Sequence, residues 1–155
     1  MLERGQLRLV QDGAAIVVAE DGTVVVSVPA MRRDREFPTA LLALIEEDVR
    51  SALAAALGFI RWVLDYVDSL GRLSHIVVLG AIESGSIYGW RTRAEHAANP
   101  HSMTLSMDQR DLVVVPEEPV VRPRAYLTAN RDQLVEDLLA RLRRELRTPR
   151  GGTML

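Results

Sequence analysis

The residues with the greatest capacity for chemistry lie between positions 83 and 101. Glu95, His96 and His101 could act as general acid, general base or metal ligand in a small hydrolase. Glu95 and His96 are adjacent, so they diverge on either a helix or a strand, and neither an HExxH nor a GxSxG motif accompanies them. We therefore expect no catalytic residue, no metal and no cofactor, and keep a hydrolase as a second alternative.

Arginines beside a tryptophan suggest a different chemistry. Arg91 and Arg93 would share one face of an extended strand, with Trp90 available to stack on a base. Arg141 and Arg144 belong to an arginine-rich run on the last predicted helix, and all 19 basic residues are arginines. The net charge is only -2, and no nucleic-acid-binding motif is present. Phosphate binding by these residues is the first alternative function. The competing interpretation is that the arginines are solvated and pair with acidic neighbours.

One apolar segment, residues 39–71, must position these groups. Its polar residues recur every three to four positions, which predicts one long helix that is apolar around most of its circumference. Such a helix needs cover on two sides. Ala54 and Gly58 would allow close helix–helix approach, and Phe59, Trp62 and Tyr66 lie beside them. We expect these five residues to face a second copy of the chain or a partner protein, unless the last helix and the 83–102 loop cover them.

Short strands flank the long helix on both sides. An Asp-Gly pair at positions 21–22 predicts a tight hairpin, and Asn130 with Gln133 resembles a capping box at the start of the last helix. The order β-β-β-α-β-β-β-α predicts one α+β domain over residues 1–148, with an antiparallel sheet, both helices on one face and a loose tail at 149–155. The predicted strands before the long helix are residues 6–11, 15–19 and 23–28. The three strands after it are drawn from four candidate segments, 75–82, 102–107, 112–115 and 120–127.

Composition limits the class of protein. A chain of 155 residues with 48% hydrophobic and 26% charged residues is typical of one soluble domain. The absence of cysteine excludes disulfides, thiolate metal sites and cysteine nucleophiles, and it suits a reducing cytoplasm. Charges within the long helix interrupt the run of about 20 apolar residues that a bilayer requires. We expect a cytoplasmic protein that does not contact a membrane.

The run WRTRAEHAANP at residues 90–100 is followed by a strand with serine and methionine and by VVVP at 113–116. This pattern resembles the C-terminal region of bacterial ATP-binding proteins that carry a Schlafen/AlbA-like DNA-binding domain. The resemblance extends over residues 72–147, and the AlbA-like domain itself is not evident here. It implies an accessory or dimerising module that works near nucleic acid, in defence or regulation.

The element order is also similar to that of secretion-chaperone-like domains without their first helix, a likeness of fold that carries no function. Our main hypothesis is a non-catalytic interaction or dimerisation module, an accessory or chaperone-like protein. It rests on the excess apolar surface of the long helix and on the lack of a recognisable catalytic site.

Overall fold

The structure, a computed structural model, describes residues 2–3, 6–29, 43–84, 89–99 and 112–147. The described residues form both helices and antiparallel sheets, so the predicted mixed α+β class is confirmed. The strands are β1 (Leu2–Glu3), β2 (Gln6–Gln11), β3 (Ala14–Ala19), β4 (Val24–Ser27), β5 (Ala43–Ile45), β6 (His75–Val78), β7 (Ile82–Ser84), β8 (Gly89–Arg91), β9 (Leu112–Val114) and β10 (Val120–Pro123). The helices are α1 (Glu46–Val67), α2 (Arg93–Ala98), α3 (Tyr126–Ala129) and α4 (Arg131–Arg147).

Strands β1 to β4 form an antiparallel meander in the order β1-β2-β3-β4. The turn between β2 and β3 uses Asp12 and Gly13, which both have positive φ, and Gly22 has a φ of 87° in the turn between β3 and β4. Glycine adopts such angles without a steric penalty. Asp21 accepts a hydrogen bond from the backbone N–H of Thr23 at 2.8 Å. The predicted hairpin at positions 21–22 is confirmed.

The long helix is shorter at both ends than the pattern predicted. Residues 43–45 are a strand, because they pair in parallel with β8, where Leu44 lies opposite Trp90. This pairing satisfies their backbone groups and buries Leu44 almost completely, so a strand replaces the first predicted turns of the helix. At the other end, Asp68 accepts hydrogen bonds from the backbone N–H groups of Arg72 and Leu73 at 2.9 and 2.8 Å. The predicted start at residues 39–42 lies outside the described residues.

The later strands do not build one sheet. The single strand predicted at 75–82 is two strands, β6 and β7, separated at Gly80, where an added Cβ would lie 3.5 Å from the Leu142 side chain. β6 pairs with β10 and β7 pairs with β9, both antiparallel. Within the described ranges the strands form four separate sheets, one of them parallel, so the predicted single antiparallel sheet is wrong there. The strand predicted at 102–107 lies outside the described residues.

Helix α4 begins where its sequence signals predicted and packs against α1. The predicted strand at 120–127 is shorter, because α3 begins at Tyr126. The hydrophobic core lies around α1 and α4, and the leucines of α4 recur at helical spacing on its buried face. No described residue of strands β1 to β4 belongs to this core. The buried core residues are Leu44, Val49, Leu57, Leu64, Ile82, Val120, Leu127, Leu134, Val135, Leu138, Leu139 and Leu142.

Candidate protein-interaction site

The C-terminal part of α1 and the turn that follows it carry a row of apolar side chains, most of them exposed. We name this row the α1 stripe: Phe59, Trp62, Tyr66, Val67 and Leu70. Trp62 is 63% exposed, Tyr66 is 79%, Val67 is 64% and Leu70 is 76%. The ring centroids of Trp62 and Tyr66 are 6.2 Å apart and their planes differ by 16°, so the rings are stacked. Phe59 is half-buried, and its ring lies 5.8 Å from that of Trp62. The three aromatic rings thus form one continuous surface.

Helical geometry explains why this surface is open. Residues three and four apart lie on the same face of a helix, which aligns positions 59, 62 and 66, and Leu70 follows in the turn after α1. Leu57 and Leu64 lie on the other side, in the buried core. Helix α1 therefore has two apolar faces, as predicted, but α4 covers only one of them. Trp62 and Tyr66 are not core residues.

The two small residues of the predicted interface lie elsewhere. Ala54 packs against the hydrophobic core. A Cβ added at Gly58 would lie 3.5 Å from a guanidinium nitrogen of Arg131, the first residue of α4. Close approach at Ala54 and Gly58 therefore occurs inside one chain, between α1 and α4. Of the five predicted interface residues, Trp62 and Tyr66 are exposed, whereas Ala54, Gly58 and Phe59 are half-buried.

Charged groups of both signs border the α1 stripe. Arg124 binds Asp65 at 3.0 Å and Asp68 at 2.7 Å, and Arg61 lies 3.5 Å from Asp65. Backbone hydrogen bonds, first from Leu73, and the charge of Arg124 hold the pKa of Asp68 below its ordinary value. These contacts fix the C-terminal end of α1, and with it the orientation of the stripe.

Trp90, the tryptophan that was expected to stack on a base, makes its contacts within the chain. Trp90 donates a hydrogen bond from Nε1 to Glu46 Oε2 at 2.8 Å, and the guanidinium carbon of Arg143 lies 5.9 Å from its ring centroid. Arg143 and Arg50 both form ion pairs with Glu46, which is only 8% exposed. Burial acts to raise the pKa of Glu46, but the hydrogen bond from Trp90 and the charge of Arg143 outweigh it and lower that pKa. The Nε1 donor of Trp90 and one face of its ring are therefore engaged within the chain.

The arginines predicted to bind phosphate contact acceptors within the chain. Arg91 lies in β8 and donates to the backbone oxygen of Asn99 at 3.2 Å, whereas Arg93 begins α2 and binds Asp48 at 2.7 Å. They do not share a strand face, because the chain turns into a helix between them. Arg141 donates to a backbone oxygen, that of Glu118, at 2.6 Å, and Arg144 lies exposed on α4. Three of these four arginines therefore each donate to an acceptor within the chain.

Glu95, the first of the three residues considered for a hydrolase, caps helix α2. Thr92 Oγ1 accepts from the backbone N–H of Glu95 at 3.2 Å, and the Glu95 carboxylate accepts from the backbone N–H of Thr92 at 2.7 Å. This capping box forms the N-terminus of α2. It uses the carboxylate of Glu95, the residue considered as the general acid of a hydrolase. His96 Nδ1 is buried without a hydrogen-bond partner, and His101 lies outside the described residues. Among the residues that the structure describes, no group of three or more His, Asp or Glu side chains could hold a metal ion.

Sequence reasoning missed Glu46 and Arg143. Glu46 stands in the first turn of α1, where acidic residues commonly complement the helix dipole. No local signal distinguishes a buried carboxylate there from an exposed one, because its partners come from β8 and α4.

None of the helices in the described part of the chain is both long and apolar enough to cross a bilayer. Comparisons with protein-family models, with curated proteins and with solved structures found no match. The resemblance of residues 72–147 to proteins with a Schlafen/AlbA-like domain therefore stays a prediction.

Proposed function

We propose that this protein is a non-catalytic interaction module that forms a homodimer through the α1 stripe. One observation carries the proposal: Trp62 and Tyr66 are stacked on each other and are both mostly exposed. Large, contiguous apolar patches on a protein surface mark sites of association. Tryptophan and tyrosine are also the side chains that most often dominate the binding energy of protein interfaces.

The charges around the stripe suit a second copy of the same chain. Its border carries arginines and aspartates together, as the contacts of Arg61 and Arg124 with Asp65 illustrate. Two identical borders of mixed charge repel each other little, and a net charge of -2 adds only a weak long-range repulsion. A nucleic-acid partner lacks this support, because Arg93 and Arg141 already bind acceptors within the chain.

Light scattering over a concentration series tests the proposal. The wild-type chain should give a mass of twice 17.2 kDa. Trp62→Arg should raise the dissociation constant about 30-fold or more, the effect of losing a binding hot spot of about 2 kcal/mol. Ala140→Arg is the matched control, because it adds the same charge at an exposed position of a different helix, α4.

Circular dichroism should show the same helix content for both variants and the wild type. A wild-type chain that remains a monomer at every concentration would exclude the homodimer. Equal dissociation constants for Trp62→Arg and Ala140→Arg would show that the dimer forms through another surface.

A further inference from the structure

The meander of β1 to β4 has one face made of aliphatic side chains. In the first row across its strands, Leu7 pairs with Val18 and Val18 with Val24. In the second row, Leu9 pairs with Ile16 and Ile16 with Val26. Side chains alternate between the two faces of a sheet, so the members of both rows lie on one side. We name these six residues the sheet face: Leu7, Leu9, Ile16, Val18, Val24 and Val26.

The opposite side of the meander is more polar. Its corresponding row places Arg8 opposite Val17 and Val17 opposite Val25. The next row places Val10 opposite Ala15 and Ala15 opposite Ser27, and Val10 is 63% exposed. The two sides therefore differ as the two sides of a sheet differ when only one of them packs against another element.

The sheet face is incompletely covered. Leu7 and Leu9 remain 41% and 53% exposed, and none of the six side chains belongs to the buried core. A small sheet gains its stability by packing an apolar face on a helix or on a second sheet. Helix α4 cannot serve, because its own apolar face already packs on α1.

We propose that the α1 stripe of one protomer packs on the sheet face of a second copy, and that the reverse contact forms at the same time. This inference rests on the proposed function and names the surface that the stripe meets. Each chain carries one open apolar helix face and one open apolar sheet face, so two copies satisfy both. A helix laid on a sheet is also the usual way in which such faces are buried in α+β proteins.

The area of each surface favours this reciprocal arrangement over contact between two α1 stripes. From its exposed fractions, the stripe offers roughly 400 Å² of apolar surface, since a large aromatic side chain buries about 200 Å². A stripe-to-stripe dimer would bury no more than this per protomer, about half of the roughly 800 Å² of a standard interface. The sheet face adds roughly 200 Å² per protomer, and the polar borders of two contacts supply much of the remainder.

The proposed dimer also has closed two-fold symmetry. A contact between two different surfaces continues indefinitely unless rotation returns the chain to its starting point. Here a two-fold axis relates the two contacts, so neither apolar face is left open to start a fibre. The arrangement therefore predicts a dimer and no larger species.

Mixing two variants tests the reciprocal contact. Trp62→Arg damages the stripe and Ile16→Glu damages the sheet face, so each variant alone should lose at least about 10-fold in dimer affinity. A one-to-one mixture should recover a mass of twice 17.2 kDa. In the mixed dimer one contact is wild type on both sides, and the other places the introduced arginine opposite the introduced glutamate. Val25→Glu is the matched control on the opposite side of the meander, where Val25 is 51% exposed, and it should dimerise normally.

Cross-linking provides a second measurement that does not require a charged substitution in the sheet face. The chain has no cysteine, so Leu9→Cys and Tyr66→Cys introduce single thiols at exposed positions. Oxidation of a mixture should yield a covalent dimer that joins one variant to the other. Predominant Tyr66→Cys homodimers would instead indicate stripe-to-stripe packing.

The outcomes separate the two proposals. If Trp62→Arg dissociates the dimer but Ile16→Glu does not, the stripe is an interface and the reciprocal contact is refuted. Failure of the mixture to recover the dimer mass also refutes the reciprocal contact. A wild-type chain that is always monomeric overturns both proposals.

Discussion

Replacement of Glu46 by glutamine tests how the core of this protein holds a buried charge. The Glu46 carboxylate accepts hydrogen bonds from Trp90 of β8 and from Arg50 of α1, and it pairs with Arg143 of α4. It therefore joins three elements that are distant in the sequence. Glutamine keeps the shape of the side chain and one oxygen for Trp90, but it removes the charge that the two arginines face.

The expected loss follows from these contacts. A hydrogen bond to a charged group contributes about 1.5–3 kcal/mol, and removal of one partner from a fully buried ion pair costs about 3–5 kcal/mol. The Arg143 side chain is 35% exposed, so water can solvate part of its charge in the variant. Its Nε is nevertheless buried without a partner. We therefore expect Glu46→Gln to lower the free energy of unfolding by about 2 kcal/mol at neutral pH.

The loss should depend on pH with a defined sign. The folded protein holds the pKa of Glu46 below its ordinary value of 4.5. A carboxyl whose pKa is lowered by folding stabilises the protein in full above the ordinary value, and this contribution is lost as the pH falls through the folded-state pKa. The difference between wild type and Glu46→Gln should therefore be greatest at neutral pH and should narrow below pH 4.5.

Urea denaturation followed by circular dichroism measures these differences, with the protein concentration held constant because dimerisation stabilises the folded state. Glu136→Gln is the matched control: Glu136 also binds Arg50, at 2.7 Å, but its side chain is 51% exposed. An exposed ion pair contributes about 0.5 kcal/mol, which sets the expected loss for the control. Equal losses for the two substitutions, or a Glu46→Gln loss that stays constant in acid, would refute the reasoning.

Two further substitutions test the core and the end of α1. Leu134→Ala should lower the free energy of unfolding by about 2–5 kcal/mol, because Leu134 is fully buried between helices; a urea titration measures the loss, and one below about 1 kcal/mol would contradict the described packing. Arg124→Ala should cost about 1.5 kcal/mol in a thermal melt, because Arg124 binds both Asp65 and Asp68. Arg122→Ala removes an arginine with a single carboxylate partner, so it should lower the free energy of unfolding by less. A larger loss for Arg122→Ala than for Arg124→Ala would contradict this prediction.

Much of the local structure could be predicted from short-range signals. Positions 21–22 form the expected turn because few residues besides glycine accept its positive φ. Helix α4 starts after Asn130, and its leucines recur at the spacing that one buried face requires. Each of these features depends on residues within a few positions of one another, so a single sequence contains the needed information.

The candidate site was only partly predictable. The spacing of Phe59, Trp62 and Tyr66 placed them on one face of α1, and the structure agrees. The apolar pattern could not tell which side of a two-sided helix α4 would cover. In the structure, α4 covers the side of α1 that contains Gly58, so Trp62 on another side stays exposed.

The sequence by itself determined the α+β class, the hairpin, the position of α4 and the absence of any disulfide, because these depend on local backbone preferences, periodicity and composition. Only the tertiary structure decided that residues 43–45 are a strand and that Glu46 is a buried acceptor. Both outcomes depend on β8, whose Trp90 lies more than forty residues away in the chain. Strand pairing and hydrogen bonds over such separations depend on partners that the local sequence does not contain. They can therefore replace the locally predicted helix only in the folded chain, where the partners meet.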